Sequence, residues 1–388
     1  MRKGATVAAA LMMSATAVAG CAVDGTATRG PIQLDTGKYL AQQSMALKSA
    51  STDGAWAQLR GVRLADHIIF PREVDSGLVS SKFPLQPLSS AQNAGGVFGG
   101  GEVSDLPVLK QFQYGFVVTA GEEGAGDLGI SHAVLVFDSP ASAARAAYDI
   151  SKTKLKKKPD EYTTNIRSKP VPGAPDGTRA VESTGVYQGK VQNETVEGFT
   201  PVGSMLMYTW GQAKDLPRAE NIVKTALTKQ KALLDPAPTI SDDRNPDPTG
   251  LIRGTLVGEG GGDPMEKVVF SARGAALTFD DQPAAYEAMK KTGVTEVALN
   301  GTKAYRTGSA DQAKTFADFL RKEYAVTYTA TKAAASPRDL GGAHCWNNDD
   351  RQFGCTVVVD RYVGFTLSRS LKDAQQQISA QSVFLSKL

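Results

Sequence analysis

The sequence predicts an α+β protein of two lobes, each a mainly antiparallel sheet packed with helices, behind a lipidated and disordered tether. Three observations carry this. Short runs rich in β-branched and aromatic residues alternate with helical periodicity along the chain. Four prolines, Pro236, Pro238, Pro246 and Pro248, interrupt that pattern between Leu234 and Gly250, where regular structure is not sustained. An uncharged apolar run after Arg2 and Lys3 ends in Val18-Ala19-Gly20-Cys21, a secretory signal with a lipoprotein cleavage site.

The implied organisation is a signal peptide over residues 1–20, a lipidated tether and entry segment over 21–50, and an N-terminal lobe over 51–235. A Pro-rich linker over 236–250 and a C-terminal lobe over 251–388 follow. Cys21 is the expected lipidation site and becomes the new N-terminus. The run from Gly4 to Ala19 is too short to span a bilayer, which takes about 20 apolar residues. The protein is therefore expected at the extracytoplasmic face of the cell membrane, held by its lipid anchor. Of three cysteines, lipidation consumes one and leaves Cys345 and Cys355, which an exported compartment allows to pair as a disulfide.

Hydrophobic content is 41% and charged content 21%, as in ordinary globular domains. Removing Arg2 and Lys3 from 43 basic residues brings them almost level with the 40 acids. No global field then favours nucleic acid, and no nucleic-acid partner is expected. The expected partners are the membrane, through the anchor, and an envelope ligand or protein whose identity the residues leave open.

The elements read as follows, all from the residues themselves. The tether, Cys21 to Lys38, is small and polar and expected to be disordered. Ser51 to Ile69 reads as a helix with Ala55, Leu59, Val62 and Ile69 on one face, stopped by Pro71. Ala94 to Gly101 reads as a mobile glycine-rich surface loop, since Glu102 stands where a phosphate loop needs a lysine. Phe112 to Thr119 and Ile130 to Phe137 read as strands. Ser139-Pro140 caps a helix with Ala143, Ala147 and Ile150 on one face. It ends in Lys152, Lys154, Lys156, Lys157 and Lys158, which complement the helix dipole or mark an anionic contact. Strands follow at Arg179 to Gly185, Lys190 to Gly198 and Ser204 to Trp210, then a helix from Pro217 to Leu234.

In the second lobe Ala276 to Phe279 reads as a short strand. Asp281 and Pro283 open a helix closed by Gly293, and Asn300-Gly301 signals a type I′ hairpin between two strands. Ser309 caps a helix bearing Ala313, Phe316, Ala317 and Leu320. Aligning Ser139 with Ser309 lays Ala143, Ala147 and Ile150 over Ala313, Ala317 and Leu320, which suggests two related lobes, although small residues on any helix that packs on a sheet give the same match without common ancestry. A hairpin around Asp360-Arg361 and a final helix opened by Ser370 complete the chain.

Little in the sequence carries chemistry. His67, His132 and His344 share no metal-binding spacing, and no metal or cofactor is expected. Gly129-Ile130-Ser131-His132-Ala133 lacks the glycine that a nucleophile elbow requires. His344 beside Cys345 would suit a nucleophile only if that thiol were free. Asp243, Asn245 and Asp247 begin like a calcium loop, but Pro248 and Gly254 stand where glycine and glutamate are required. Asp280-Asp281 and Asp349-Asp350 suit turns and caps, and Trp56, Trp210 and Trp346 are scattered.

Cys21, Asp35-Thr36-Gly37-Lys38-Tyr39, Leu59 to Asp66, Cys345 with Cys355, Arg361-Tyr362-Val363 and Ala380-Gln381 together resemble a family of actinobacterial envelope lipoproteins. The chain departs from that pattern at Ser382, where an aromatic residue is usual. The resemblance implies a two-lobed, membrane-anchored architecture and transfers no catalytic residue. The leading expectation is a non-catalytic binding or adaptor module of the cell envelope. The alternative is a hydrolase acting on envelope lipid or polysaccharide, which requires a set such as Ser131-His132 to meet in a cleft.

Overall fold

The computed structural model describes residues 34–124, 126–235, 237–258, 265–327, 332–348 and 352–388. The signal run, Cys21 and the tether up to residue 33 lie outside the described residues, as do Pro236, Asp349 and Asp350.

Two seven-stranded antiparallel sheets organise the chain. The first contains β1 (Ser80–Leu88), β2 (Phe112–Gly121), β3 (Gly129–Phe137), β4 (Thr163–Ser168), β5 (Arg179–Tyr187), β6 (Lys190–Val202) and β7 (Met205–Ala213). Its spatial order is β1-β2-β3-β7-β6-β5-β4. The second contains β8 (Val268–Ser271), β9 (Glu296–Leu299), β10 (Lys303–Arg306), β11 (Lys332–Ala334), β12 (Ala343–Asn347), β13 (Phe353–Val359) and β14 (Tyr362–Ser368). Its order, read from the other edge, is β8-β9-β10-β14-β13-β12-β11. Strand for strand, the two sheets follow the same path.

The helices repeat as well. In the first lobe α1 (Asp53–Leu64) and α2 (Pro71–Val74) precede the sheet, α3 (Ala91–Val97) joins β1 to β2, α4 (Pro140–Lys156) follows β3, and α5 (Leu216–Leu234) follows β7. In the second, α6 (Ala272–Ala276) and α7 (Gln282–Lys291) join β8 to β9, α8 (Ala310–Thr327) follows β10, and α9 (Leu371–Leu385) follows β14. The caps are those the residue types dictate. Ser139, Asp215, Asp281 and Ser370 each accept a hydrogen bond from the backbone N–H three residues on, which satisfies an otherwise orphaned donor. Ser309 accepts from the Gln312 N–H in the same way.

Each sheet is covered on both faces. Strand side chains alternate, so Leu135, Phe199, Leu206 and Tyr208 meet α4 with Ala143, Ala147 and Ile150. Met207, Val196 and Val134 meet α5 on the opposite face. In the second lobe Ala304, Cys355 and Val357 meet α9, while Tyr305, Val363 and Phe365 meet α8. Helix α1 lies so close to the first sheet that a Cβ on Gly61 would stand 2.6 Å from the Gly115 carbonyl oxygen, which excludes any side chain there.

Several sequence expectations change. The glycine-rich stretch is mostly helix: Ala94 and Gly95 are buried in α3, Gly99 and Gly100 turn the chain, and Gly101 opens a 3-10 turn. The first helix ends at Leu64 and continues as a 3-10 turn, and Pro71 opens α2 rather than only stopping what precedes it. Ala276 to Phe279 is the end of α6 and a turn, and the strand lies earlier, at β8. The Asn300-Gly301 hairpin forms, but neither residue has positive φ, so it is not type I′. Its tip is pinned instead, with the Gly301 N–H donating to the Leu256 carbonyl and the Asn300 amide to Ser44 Oγ. β1 carries Pro84 and Pro87, which a central strand would not tolerate. Its place at the sheet edge accommodates them.

The lobes do not keep separate cores. One buried cluster runs from Val62, Ile68 and Phe116 through Phe270, Met289 and Phe316, and the Phe116 and Phe270 rings meet edge to face at 6.3 Å. Asp66 accepts from Ser271 Oγ and the Gly274 N–H, and Arg273 lies over the Phe70 ring at 4.2 Å. The entry segment crosses the second lobe before building the first: Tyr39 packs with Leu256, Ala380 and Phe384, and residue 43 bridges to 256. Of the tether expected through Lys38, the described end is ordered against the second lobe, with Asp35 accepting from the Gln376 amide and Thr36 buried. The linker is docked too, since Arg63 donates to the Ser241 and Asn245 carbonyls and Arg244 to that of Ala50.

Candidate functional site

Helix α4 does not cover the whole of its sheet face. Beyond its last turn the face continues over β5, β6 and β7, where the register sets Val181 opposite Glu197 and Glu197 opposite Trp210. Alternation turns Ser183, Thr195, Glu197, Trp210 and Gln212 to this side, and with Asn193 they line a groove of about 380 Å³. That volume lies at the lower end of the range for small-molecule sites. Lys154, Lys157 and Tyr162 close its rim.

At the helix end the groove holds a half-buried ion pair. Lys154 Nζ stands 2.8 Å from Glu197 Oε2, and the Tyr208 hydroxyl donates to the same oxygen at 2.8 Å. Burial, and then the Glu197 charge and hydrogen bond, push the Tyr208 hydroxyl well above its ordinary pKa, so it stays a donor. Glu197 is the acid lining this groove. Its neighbours Glu182 and Glu194 point to the opposite face, where they are engaged by Arg167 and Thr184.

The residues singled out from sequence are not brought together here. His132 is fully buried on the α5 face. Its Nδ1 meets Thr209 Oγ1 at 2.8 Å and its Nε2 meets Gln230 Oε1 at 3.0 Å. Gln230 Oε1 also accepts from the Ile69 N–H, and its amide donates to the His67 carbonyl. An acceptor opposite Nε2 fixes the proton there, so Nδ1 accepts from the threonine hydroxyl. Burial lowers the His132 pKa to about 4. Ser131 points to the other face and receives the Thr119 hydroxyl, so Ser131-His132 is no catalytic dyad.

Cys345 and Cys355 face each other across β12 and β13 and are bonded, with Cα atoms 4.2 Å apart. That is slightly under the 4.4 to 6.8 Å usual for disulfides, as suits directly opposed strand residues. The bond leaves His344 no thiolate to activate. Asp243, Asn245 and Asp247 spend their side chains on backbone N–H groups, Asp247 accepting from Leu251 and Ile252. Among the described residues no group of three or more His, Cys, Asp or Glu could hold a metal ion, and no helix is long and apolar enough to cross a membrane. Trp56 is ringed by Arg60, Arg63 and Arg244, and Trp346 is buried.

Sequence reading missed the groove because its walls come from residues far apart in the chain. One signal was present: extending the Ser139–Ser309 alignment by one helical turn lays Lys154 over Tyr324. In the second lobe Tyr324 stacks on Phe365 at 4.7 Å and lies 6.2 Å from Trp346. Aromatic rings occupy the region corresponding to the groove.

Fold and groove together define a two-lobed α+β module of repeated topology whose first lobe carries an open, polar groove. The family model described as "Domain of unknown function (DUF7373) N-terminal" matches residues 47–249, and "Domain of unknown function (DUF7373) C-terminal" matches residues 239–387. The chain belongs to that family. Comparison with curated proteins gives no match. Among solved structures, the extracellular domain of PknH from Mycobacterium tuberculosis is similar at a TM-score of 0.29 and 15% identity, over 43% of this chain and 93% of that one. So slight a likeness carries no argument.

Proposed function

We propose that the protein is an exported, lipid-anchored lipoprotein whose first lobe is a non-catalytic binding module for an envelope component. The observation that carries this is the groove over β5, β6 and β7. It is concave and rich in hydroxyl and amide side chains, it has one indole wall, and the corresponding region of the second lobe is filled. Hydrolysis of a glycosidic bond calls for two carboxylates flanking that bond. Here Glu197 lines the groove without a second acid among the described residues, and it is engaged by Lys154 and Tyr208. The disulfide supports export, because such bonds persist outside the reducing cytoplasm.

Native mass spectrometry of the full chain, extracted in detergent from its own envelope, tests the binding reading. The expected result is a discrete non-covalent adduct released unchanged. A bare protein mass, or release of cleaved fragments that grows with time, contradicts it. The anchor is tested separately. Cys21→Ala is expected to move the protein from the detergent phase to the aqueous phase, and a variant that stays with the membrane overturns the anchor.

A further inference from the structure

A second cavity, of about 620 Å³, adjoins the groove on the other side of the α4 C-terminus. It is lined by Gly99, Gly100 and Gly101, and by Lys154, Lys156, Lys157 and Lys158. The glycine-rich stretch and the lysine run, each unremarkable alone, therefore face one another across one space. The three glycines all have positive φ, and a Cβ on Gly100 or Gly101 would meet nothing within 4 Å, so they leave the cavity mouth open. Lys154 and Lys157 line both cavities, so the two adjoin at the helix end with these side chains between them.

The charges there are unequal. Lys154 is answered by Glu197 and Lys157 by Asp160, at 3.2 Å. Lys156 and Lys158 have no acidic partner among the described residues, and Glu102 is the acid lining that cavity. The helix dipole accounts for some positive charge at this end, but not for its facing an open hollow beside a polar groove. In the groove, the amides of Gln192, Asn193 and Gln212 and the hydroxyls of Ser183 and Thr195 can pair with vicinal hydroxyl groups. The Trp210 face suits the C–H face of a sugar ring.

We infer that the ligand is an acidic saccharide, its sugar body in the groove and its phosphate or carboxylate group at Lys156 and Lys158 beside the glycine loop. This rests on the groove being a binding site, as proposed above. The chemistry is shared by a free acidic oligosaccharide and a glycolipid headgroup.

The test is calorimetric titration of the full chain in detergent with the acidic and neutral fractions of oligosaccharides hydrolysed from envelope polysaccharide and separated on an anion exchanger. Inorganic phosphate and phosphatidylglycerol vesicles serve as further probes. The expected result is binding of the acidic fraction that weakens at least tenfold in Lys156→Glu/Lys158→Glu and in Asn193→Ala/Gln212→Ala, and weakens with added salt. The four positions are exposed or half-exposed, and circular dichroism checks that the variants fold. Equal binding of the neutral fraction, indifferent to the lysines, overturns the inference and leaves the groove reading standing. Binding of phosphate or vesicles that needs the lysines but not Asn193 and Gln212 reduces the site to an anion patch and also overturns it. If neither fraction binds, the inference falls, while the adduct seen by native mass spectrometry decides the groove reading on its own.

Discussion

The two lobes trace the same path through seven strands and two flanking helices, yet they end differently at one helix position. In the first lobe that position is Lys154, which pairs with Glu197 and leaves the sheet beyond it open. In the second it is Tyr324, which stacks with Phe365 beside Trp346 and fills the corresponding position with rings. The lobes also differ in what stabilises them. The first buries a neutral histidine in a hydrogen-bond network; the second has a disulfide between adjacent strands and receives the N-terminal entry segment. One architecture thus carries an open groove in one lobe and receives the entry segment in the other.

The first way to break this comparison is to ask whether the lobes are independent. Phe270 belongs to the second lobe by sequence but touches Phe116 of the first. Phe270→Ala is expected to cost about 3 to 5 kcal/mol, as for other buried aromatics, and to lower the melting of both lobes as one transition in calorimetry. Loss confined to the second lobe would restore separate cores. Consistently, a proteolytic nick between residues 237 and 250 should leave both fragments eluting together on gel filtration. Fragments that separate would show that the linker alone joins them.

The next difference is acid sensitivity. His132 has its pKa lowered by burial from 6.5 to about 4. Between those values the unfolded chain binds more protons than the folded one, so stability is complete above about pH 6.5 and falls as pH drops toward 4. The loss is about 3 kcal/mol from this residue, with His67 shifted the same way. Denaturant titrations at pH 7 and pH 4.5 should show it, and His132→Asn should flatten the slope. An unchanged slope would place the titration elsewhere.

In the second lobe, reduction of Cys345–Cys355 should cost about 2 to 3 kcal/mol in the loop-entropy account, and less where strand pairing keeps the reduced hairpin in place. Thiol counting on the denatured, unreduced Cys21→Ala protein should find no free thiol. Two thiols would remove this contrast between the lobes. The smallest effects should be equal ones: Ser139→Ala and Ser370→Ala each remove a side-chain cap and should each cost about 1 kcal/mol. A large inequality would mean that the repeated helices are not held in comparable ways.

Much of this was legible in the residues. Ser139, Ser309 and Ser370 announced their helices, and β2, β3, β5, β6 and β7 were readable from β-branched and aromatic runs. The Cys345–Cys355 bond followed from their being the two cysteines left after Cys21. The shared core was not legible, because Phe116 and Phe270 are separated by more than a hundred residues and nothing local couples them. The groove was hidden for the same reason. Glu197 and Trp210 look unrelated until strand register sets them side by side, and the lysine run looked like a solvated helix end until Gly99 to Gly101 stood across from it.

The central claim is that the first lobe binds and the second does not. It is tested most directly by native mass spectrometry of two full-length variants purified from the same envelope. Ser183→Trp places a ring inside the groove, and His344→Trp places one on the exposed surface of the second sheet. The account predicts that the adduct disappears in Ser183→Trp and persists in His344→Trp, with both variants folded by circular dichroism. An adduct retained in Ser183→Trp, or lost only in His344→Trp, would contradict it.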